Sequence, residues 1–244
     1  MKYQNLVGGL VFTAIWLVIF FIQAFMGWPG ETHFCVAKDH CYCETIQWNS
    51  LVVQPVNTWS NLAIVVSGLY LLYRIDILTH MPDNPKPNFM TYPNFYSISY
   101  GYIVIFIGIG SMLFHASMKQ PGGLIDNISM NMYITFLILY SLSRILKFQI
   151  KSFVILYLII NIFLGWLAIY PDLGRNSFSV LVILVVLMEL IFLSLSKKHK
   201  IELKRDWRWY LLSILTFGTG ALIWNLSKTG GIWFYPRSNW PMDA

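Results

Sequence analysis

The sequence predicts an all-α fold, a polytopic membrane helix bundle with seven transmembrane helices. Three observations predict it. Hydrophobic residues make up 57% of the 244 and charged residues only 11%, against about a quarter charged in an ordinary soluble domain, so the chain cannot cover a water-facing surface. Seven apolar runs, 6–28, 58–75, 95–116, 124–144, 152–170, 176–196 and 209–226, are long enough to cross about 30 Å of hydrocarbon. With alternating spans, twelve of the seventeen Lys and Arg residues fall on one face. The positive-inside rule makes that face cytoplasmic and places the N-terminus there.

The elements follow in order. The first run is longer than the apolar core of a signal peptide and no small-residue cleavage site follows it, so residues 1–28 are expected to form a retained signal-anchor helix. Residues 29–56 form an extracytoplasmic loop that holds all three cysteines, Cys35, Cys41 and Cys43, with His33 and His40. That compartment permits disulfides. A Cys35–Cys41 or Cys35–Cys43 bridge and a separate zinc site are the alternatives, and the C-x5-C-x-C spacing is not a standard zinc knuckle, which favours the bridge. Residues 57–244 make up the rest of the bundle, with the Pro-rich 82–93 segment as a cytoplasmic connector. The basic 197–208 loop dominates the inner rim and accounts for a sequence pI near 9.2. It faces the lipid bilayer and implies no nucleic acid. The tryptophans and tyrosines suit interfacial belts, and the methionines suit gaps between helices. Glu189, in the inner half of the sixth span, is expected to be paired or snorkelling.

Polar residues from four helices converge in one layer near the outer rim. Asn57, Thr58, Ser60 and Asn61 open the second span, Ser111 and His115 end the third, Asp126 opens the fourth, and Trp224 and Asn225 end the seventh. Asn57, Ser60 and Asn61 share a helix face, as do Ser111 and His115, by i, i+3, i+4 spacing. The Pro121-Gly122-Gly123 stretch is expected to make a tight reversal that sets Asp126 in the first turn of its helix, antiparallel to His115 and favoured there by the helix dipole. Polar residues in spans commonly serve as interhelical hydrogen-bond glue, and a histidine at a helix end is commonly interfacial. The grouping of Ser111, His115 and Asp126 instead points to a functional site, because ionisable groups cost several kcal/mol in hydrocarbon. There is no nucleotide-binding loop, nucleophile elbow, H-E-x-x-H or internal repeat.

The run G-I-G-S-M-L-F-H-A-S-M-K at 108–119, followed by L-I-D-N-I-S-M at 124–130, resembles two successive spans of the alkaline ceramidase family. Their pattern is Ser-x3-His followed about eleven residues later by Asp. Q-P-V-N-T-W-S-N-L at 54–62 is similar to that family's first span, C-Y-C-E at 41–44 to the segment preceding it, and Trp224-Asn225 to the Trp-Asn near the end of its sixth span. The likeness runs discontinuously from about 41 to 240, and the first span lies outside it.

The resemblance implies a zinc-dependent amide hydrolase that splits ceramide, a lipid amide substrate, into a sphingoid base and a fatty acid. It makes His115 a Zn2+ ligand, Ser111 a support for the attacking water or the oxyanion, and Asp126 the general base or orienting carboxylate. Zinc suits an unreactive amide, since it acidifies bound water and polarises a carbonyl. A Ca2+ site of the family maps to Glu44 and Asn57, with neutral Cys41 and Gln54 where carboxylates are expected. The family's last helix supplies H-x3-H, two further zinc ligands, and this sequence stops at Ala244 where that helix should begin. His33, His40, His80 and His199 do not replace that pair, so an eighth span and a completed zinc site are expected only in a longer chain. A seven-span receptor of the adiponectin-receptor type and a non-catalytic lipid-binding or transport protein are the competing readings.

Overall fold

A computed structural model describes residues 3–37, 44, 46–80, 93–170, 180–188, 190–191, 194 and 207–226. The helices are α1 (Gln4–Phe25), α2 (Phe34–Ala37), α3 (Pro55–Ser60), α4 (Leu62–Thr79), α5 (Phe95–Ser117), α6 (Gln120–Leu146), α7 (Ile150–Ala168) and α8 (Trp207–Leu226). Among the described residues, five helical stretches are long and apolar enough to cross a membrane: Gln4–Phe25, Pro55–Thr79, Phe95–Ser117, Gln120–Leu146 and Ile150–Ala168. The expected span at 209–226 falls within α8. The one at 176–196 lies partly outside the described residues, and its portion at 180–188 is helical.

α5 is the centre of the bundle, with α4 on one side, α6 on the other and α1 against both α4 and α5; α7 packs on α6. Lipid tails give apolar helices no hydrophobic reason to associate, so close backbone approach and van der Waals contact must supply it. Glycines make that approach possible. A Cβ on Gly68 would lie 2.8 Å from the Gly101 carbonyl oxygen, and one on Gly108 would lie 2.9 Å from the Val65 nitrogen.

Two apolar cores flank α5. Phe20, Leu72, Ile105 and Met112 join α1, α4 and α5. Tyr96, Phe136, Tyr140 and Phe153 join α5, α6 and α7. The second takes in five of the fourteen tyrosines, which serve as interior packing instead of an interfacial belt. Tyr96 and Tyr140 are buried, Tyr100 and Tyr133 share a 3.2 Å hydroxyl contact, and the Tyr157 hydroxyl donates to the Met132 carbonyl at 3.1 Å. The hydroxyls of Tyr100, Tyr133 and Tyr157 find partners while their rings fill volume between helices.

The helix reversal also differs from expectation. The turn between α5 and α6 is made by Met118, in the left-handed region at φ 49°, and extended Lys119. Pro121, Gly122 and Gly123 lie inside the first turn of α6, which places Asp126 in its second turn. Proline is tolerated there because the early helix N–H groups have no intrahelical partner. The glycines serve packing: a Cβ on Gly122 would lie 2.6 Å from Ser117 Oγ and 2.9 Å from the Leu113 carbonyl oxygen.

Candidate functional site

The site is built where α5 ends. A helix leaves its last four carbonyls without intrahelical partners, and here two described pieces, 31–33 and 53–54, supply donors to this helix end and form a strap. Gln54 N–H donates to the His115 carbonyl at 3.1 Å, Val53 N–H to Ala116 at 2.9 Å, and His33 N–H to Met118 at 2.9 Å. Gln120 N–H donates back to the Glu31 carbonyl at 2.9 Å, beside a Thr32–Lys119 bridge. A small core of Val53, Phe114 and Met118, flanked by Cys35, Val36 and Ile46, closes the strap over the helix end. Cys35 is disulfide-bonded, as one reading of the cysteine spacing expected. Cys41 and Cys43 lie outside the described residues, as do His40, His80's counterpart His199, Glu189, most of the 82–93 connector, and the side chains of Trp224 and Asn225.

His115 is 7% exposed, and its Nδ1 lies 2.8 Å from Gln54 Oε1. Gln54 is fully buried. Its amide nitrogen donates to the Glu44 carbonyl at 3.1 Å, and its oxygen also accepts from Asn57 Nδ2 at 3.3 Å. Glu44 in turn caps α3: one carboxylate oxygen accepts from Val56 N–H and the other from Asn57 N–H, both at 2.7 Å. A carboxylate at a helix N-terminus satisfies orphan donors and complements the dipole.

Asp126, 9% exposed, belongs to the α6 face that meets α5. Gly122, Asp126 and Ser129 follow one another at i, i+4, i+7, and all three are buried. Gly122 packs on Leu113, Phe114 and Ser117, while Gly110 packs on Ser129 and Ile125. This antiparallel register sets Asp126 at the depth of Ser111, about one helix turn from the level of His115, which is that of Gly122. Ser111 lies one turn before His115 and is half-buried.

Of the residues at the start of the second span, Asn57 reaches α5 through Gln54, and the others bond within their own helix. Thr58 Oγ1 donates to the Gln54 carbonyl at 2.7 Å, Ser60 Oγ to the Asn57 carbonyl at 3.1 Å, and Asn61 Nδ2 to the same carbonyl at 2.7 Å. These are bonds within one helix turn, the competition with backbone that such short polar side chains offer, and they coincide with the break between α3 and α4 at Asn61.

His33 folds over the same end of the bundle. Its ring occupies the space that a side chain on Gly123 would fill, with a Cβ there only 2.6 Å from its Cδ2, and packs against Phe34 and Phe114. Its Nδ1 accepts from Cys35 N–H at 3.3 Å. Burial pushes its pKa down to about 4, so it is neutral at physiological pH. Among the described residues no group of three His, Cys, Asp or Glu side chains is placed to hold a metal ion.

Sequence reasoning undervalued Gln54, noted only as a neutral residue where a carboxylate was expected. Its place directly before Pro55 marks it only as the N-cap position of α3, and no sequence signal pointed to its contact with His115.

Together these features define a polytopic helical membrane protein with a buried histidine and a buried carboxylate at one end of its bundle. Residues 39–230 match the Ceramidase family, and the chain belongs to that family. α1 lies before the matched region. No curated protein and no solved structure matches the chain.

Proposed function

We propose that this chain is a ceramidase-like hydrolase that cleaves the amide bond of ceramide or a related lipid amide. The observation that carries the reading is a buried His115, held by Gln54, about one helix turn from the level of the buried Asp126, both within the region matched by the family. Zinc, when bound, supplies an acidified water and polarises the amide carbonyl. The described residues contribute the rest of the arrangement. His115 presents one nitrogen to the site while the other is tied to Gln54. Asp126 offers a carboxylate to orient or deprotonate water, and Ser111 a hydroxyl beside the reacting carbonyl. A catalytic zinc normally takes three protein ligands, so this reading requires donors beyond the described residues.

The same proposal includes seven spans and a cytoplasmic N-terminus, with the site near the extracytoplasmic face. Support comes from the Lys and Arg distribution. A cysteine introduced at Lys119 should react with an impermeant reagent from outside and one at Lys200 should not.

The deciding experiment uses purified protein in nanodiscs, with zinc measured by elemental analysis and fatty acid release measured from ceramides. In a chain that carries the full donor set, His115→Ala should lose metal and turnover together, whereas Asp126→Asn should keep most of the metal and lose turnover. Equal zinc in wild type and His115→Ala would overturn the ligand assignment.

A further inference from the structure

We propose that Gln54 is a positioning residue: its side-chain oxygen holds His115 in the tautomer with hydrogen on Nδ1, so that Nε2 is the electron-pair donor of the site. The consequence for metal binding rests on the reading of His115 as a ligand. The tautomer itself does not.

The argument begins with the amide. Gln54 Nε2 faces the Glu44 carbonyl, which can only accept. Gln54 Oε1 faces Asn57 Nδ2, which can only donate. Rotating the amide by half a turn would set oxygen against oxygen at the first contact and nitrogen against nitrogen at the second. The first mismatch decides the orientation, because the Asn57 amide can turn with its partner whereas the Glu44 carbonyl cannot, and a fully buried amide has no water to compensate it. With the oxygen directed at His115, the 2.8 Å contact to Nδ1 is a hydrogen bond only if Nδ1 carries the proton. In the other tautomer two lone pairs would face each other.

The support extends outward. Gln54 N–H donates to the His115 carbonyl, so backbone and side chain of one residue grip backbone and side chain of the other. Glu44 holds α3 at its first turn through Val56 and Asn57. It therefore fixes the Asn57 that faces Gln54, while its own carbonyl fixes the Gln54 amide. Partners of this kind, which set ring orientation and tautomer, govern how well a histidine binds metal.

The test needs no turnover. The protein contains five histidines. Labelled with 15N-histidine and reconstituted in lipid, it gives ring nitrogen resonances by solid-state NMR, and His115 is assigned by their loss in His115→Gln. Wild type should show a protonated Nδ1 and an unprotonated Nε2. Gln54→Glu keeps an acceptor and should preserve that pattern, whereas Gln54→Met should move His115 toward the Nε2-protonated tautomer. Zinc affinity in the same samples should fall by about 10–100-fold in Gln54→Met and by less in Gln54→Glu. An Nε2-protonated His115 in wild type, or an unchanged pattern in Gln54→Met, overturns the proposal, and the wild-type spectrum alone decides it if the variants do not fold. The expected tautomer shift in a protein that carries the full donor set yet shows no zinc and no hydrolysis would uphold the positioning role and refute the hydrolase reading.

Discussion

The Asp76 carboxylate caps the N-terminus of α1 through Asn5. One oxygen accepts from Asn5 Nδ2 at 2.7 Å and from Asn5 N–H at 3.3 Å, and the other accepts from Leu6 N–H at 2.8 Å. Asp76 is 2% exposed and lies at the end of α4 away from the strap. A negative charge on a helix N-terminus uses the dipole and the orphan amides together. The contact ties α1, which precedes the family match, to a helix inside it.

Replacing that carboxylate should loosen α1 selectively. Asp76→Ala is expected to lower stability by about 2 kcal/mol, since a charged acceptor serving three donors is lost. Asn5→Ala, which leaves both backbone donors in place, should cost clearly less. Thermal melting of the detergent-purified protein provides the comparison, and equal melting temperatures for wild type and Asp76→Ala would contradict the capping role.

Gly122 and Gly123 separate two kinds of close contact. Gly122→Ala would drive a methyl against the Leu113 carbonyl and the Phe114 Cα, backbone atoms that move only if the helices part, at a cost of about 1–3 kcal/mol. Gly123→Ala meets the His33 ring instead, which can shift with the strap. Gly122→Ala should therefore lower the melting temperature more than Gly123→Ala. Gly123→Ala should mainly raise the rate at which the 29–36 segment is cut by added protease.

What was legible in the sequence divides along physical lines. α1 and α5 follow from long apolar runs, since a span satisfies its backbone internally and needs no distant partner. That Ser111 and His115 lie one turn apart on α5 followed from helical spacing. The position of the reversal did not, because Pro-Gly-Gly suits both a turn and the first turn of a tightly packed helix, and only the contact with Leu113 and Ser117 decides between them. Gln54 was obscure for a similar reason: its role comes from Glu44, ten residues earlier, and His115, sixty-one residues later. The internal tyrosines have the composition of an interfacial belt, and only packing separates the two.

His33 should make the strap sensitive to acid. Burial lowers its folded pKa to about 4, below its usual value near 6.5. Between those values the unfolded strap binds a proton that the folded strap does not, so stability rises with pH there. It is fully present above about 6.5 and is lost as pH falls toward 4. His33→Phe keeps the ring contacts with Phe34 and Phe114 and removes the titration. Its melting temperature should therefore drop less than that of wild type between pH 7 and pH 4.5, and parallel profiles would remove His33 as the cause.

Glu44 poses a choice between a helix cap and a calcium ligand. Calcium takes six to eight oxygen ligands. Each Glu44 oxygen already accepts from a backbone N–H at the start of α3, and the Gln54 oxygen already faces His115 and Asn57. The amide hydrogens that favour the carboxylate also set the positive end of the helix dipole beside it, where a cation must compete. Glu44→Ala should therefore destabilise the protein by about 1–2 kcal/mol through loss of the cap, equally with calcium or with EGTA present. Glu44→Gln, which keeps one acceptor oxygen, should lie between. The measurement is the melting temperature of wild type and both variants across a calcium titration. A calcium-dependent rise of several degrees in wild type that disappears in Glu44→Gln would instead make Glu44 a cation ligand, with the α3 amides released when the metal binds.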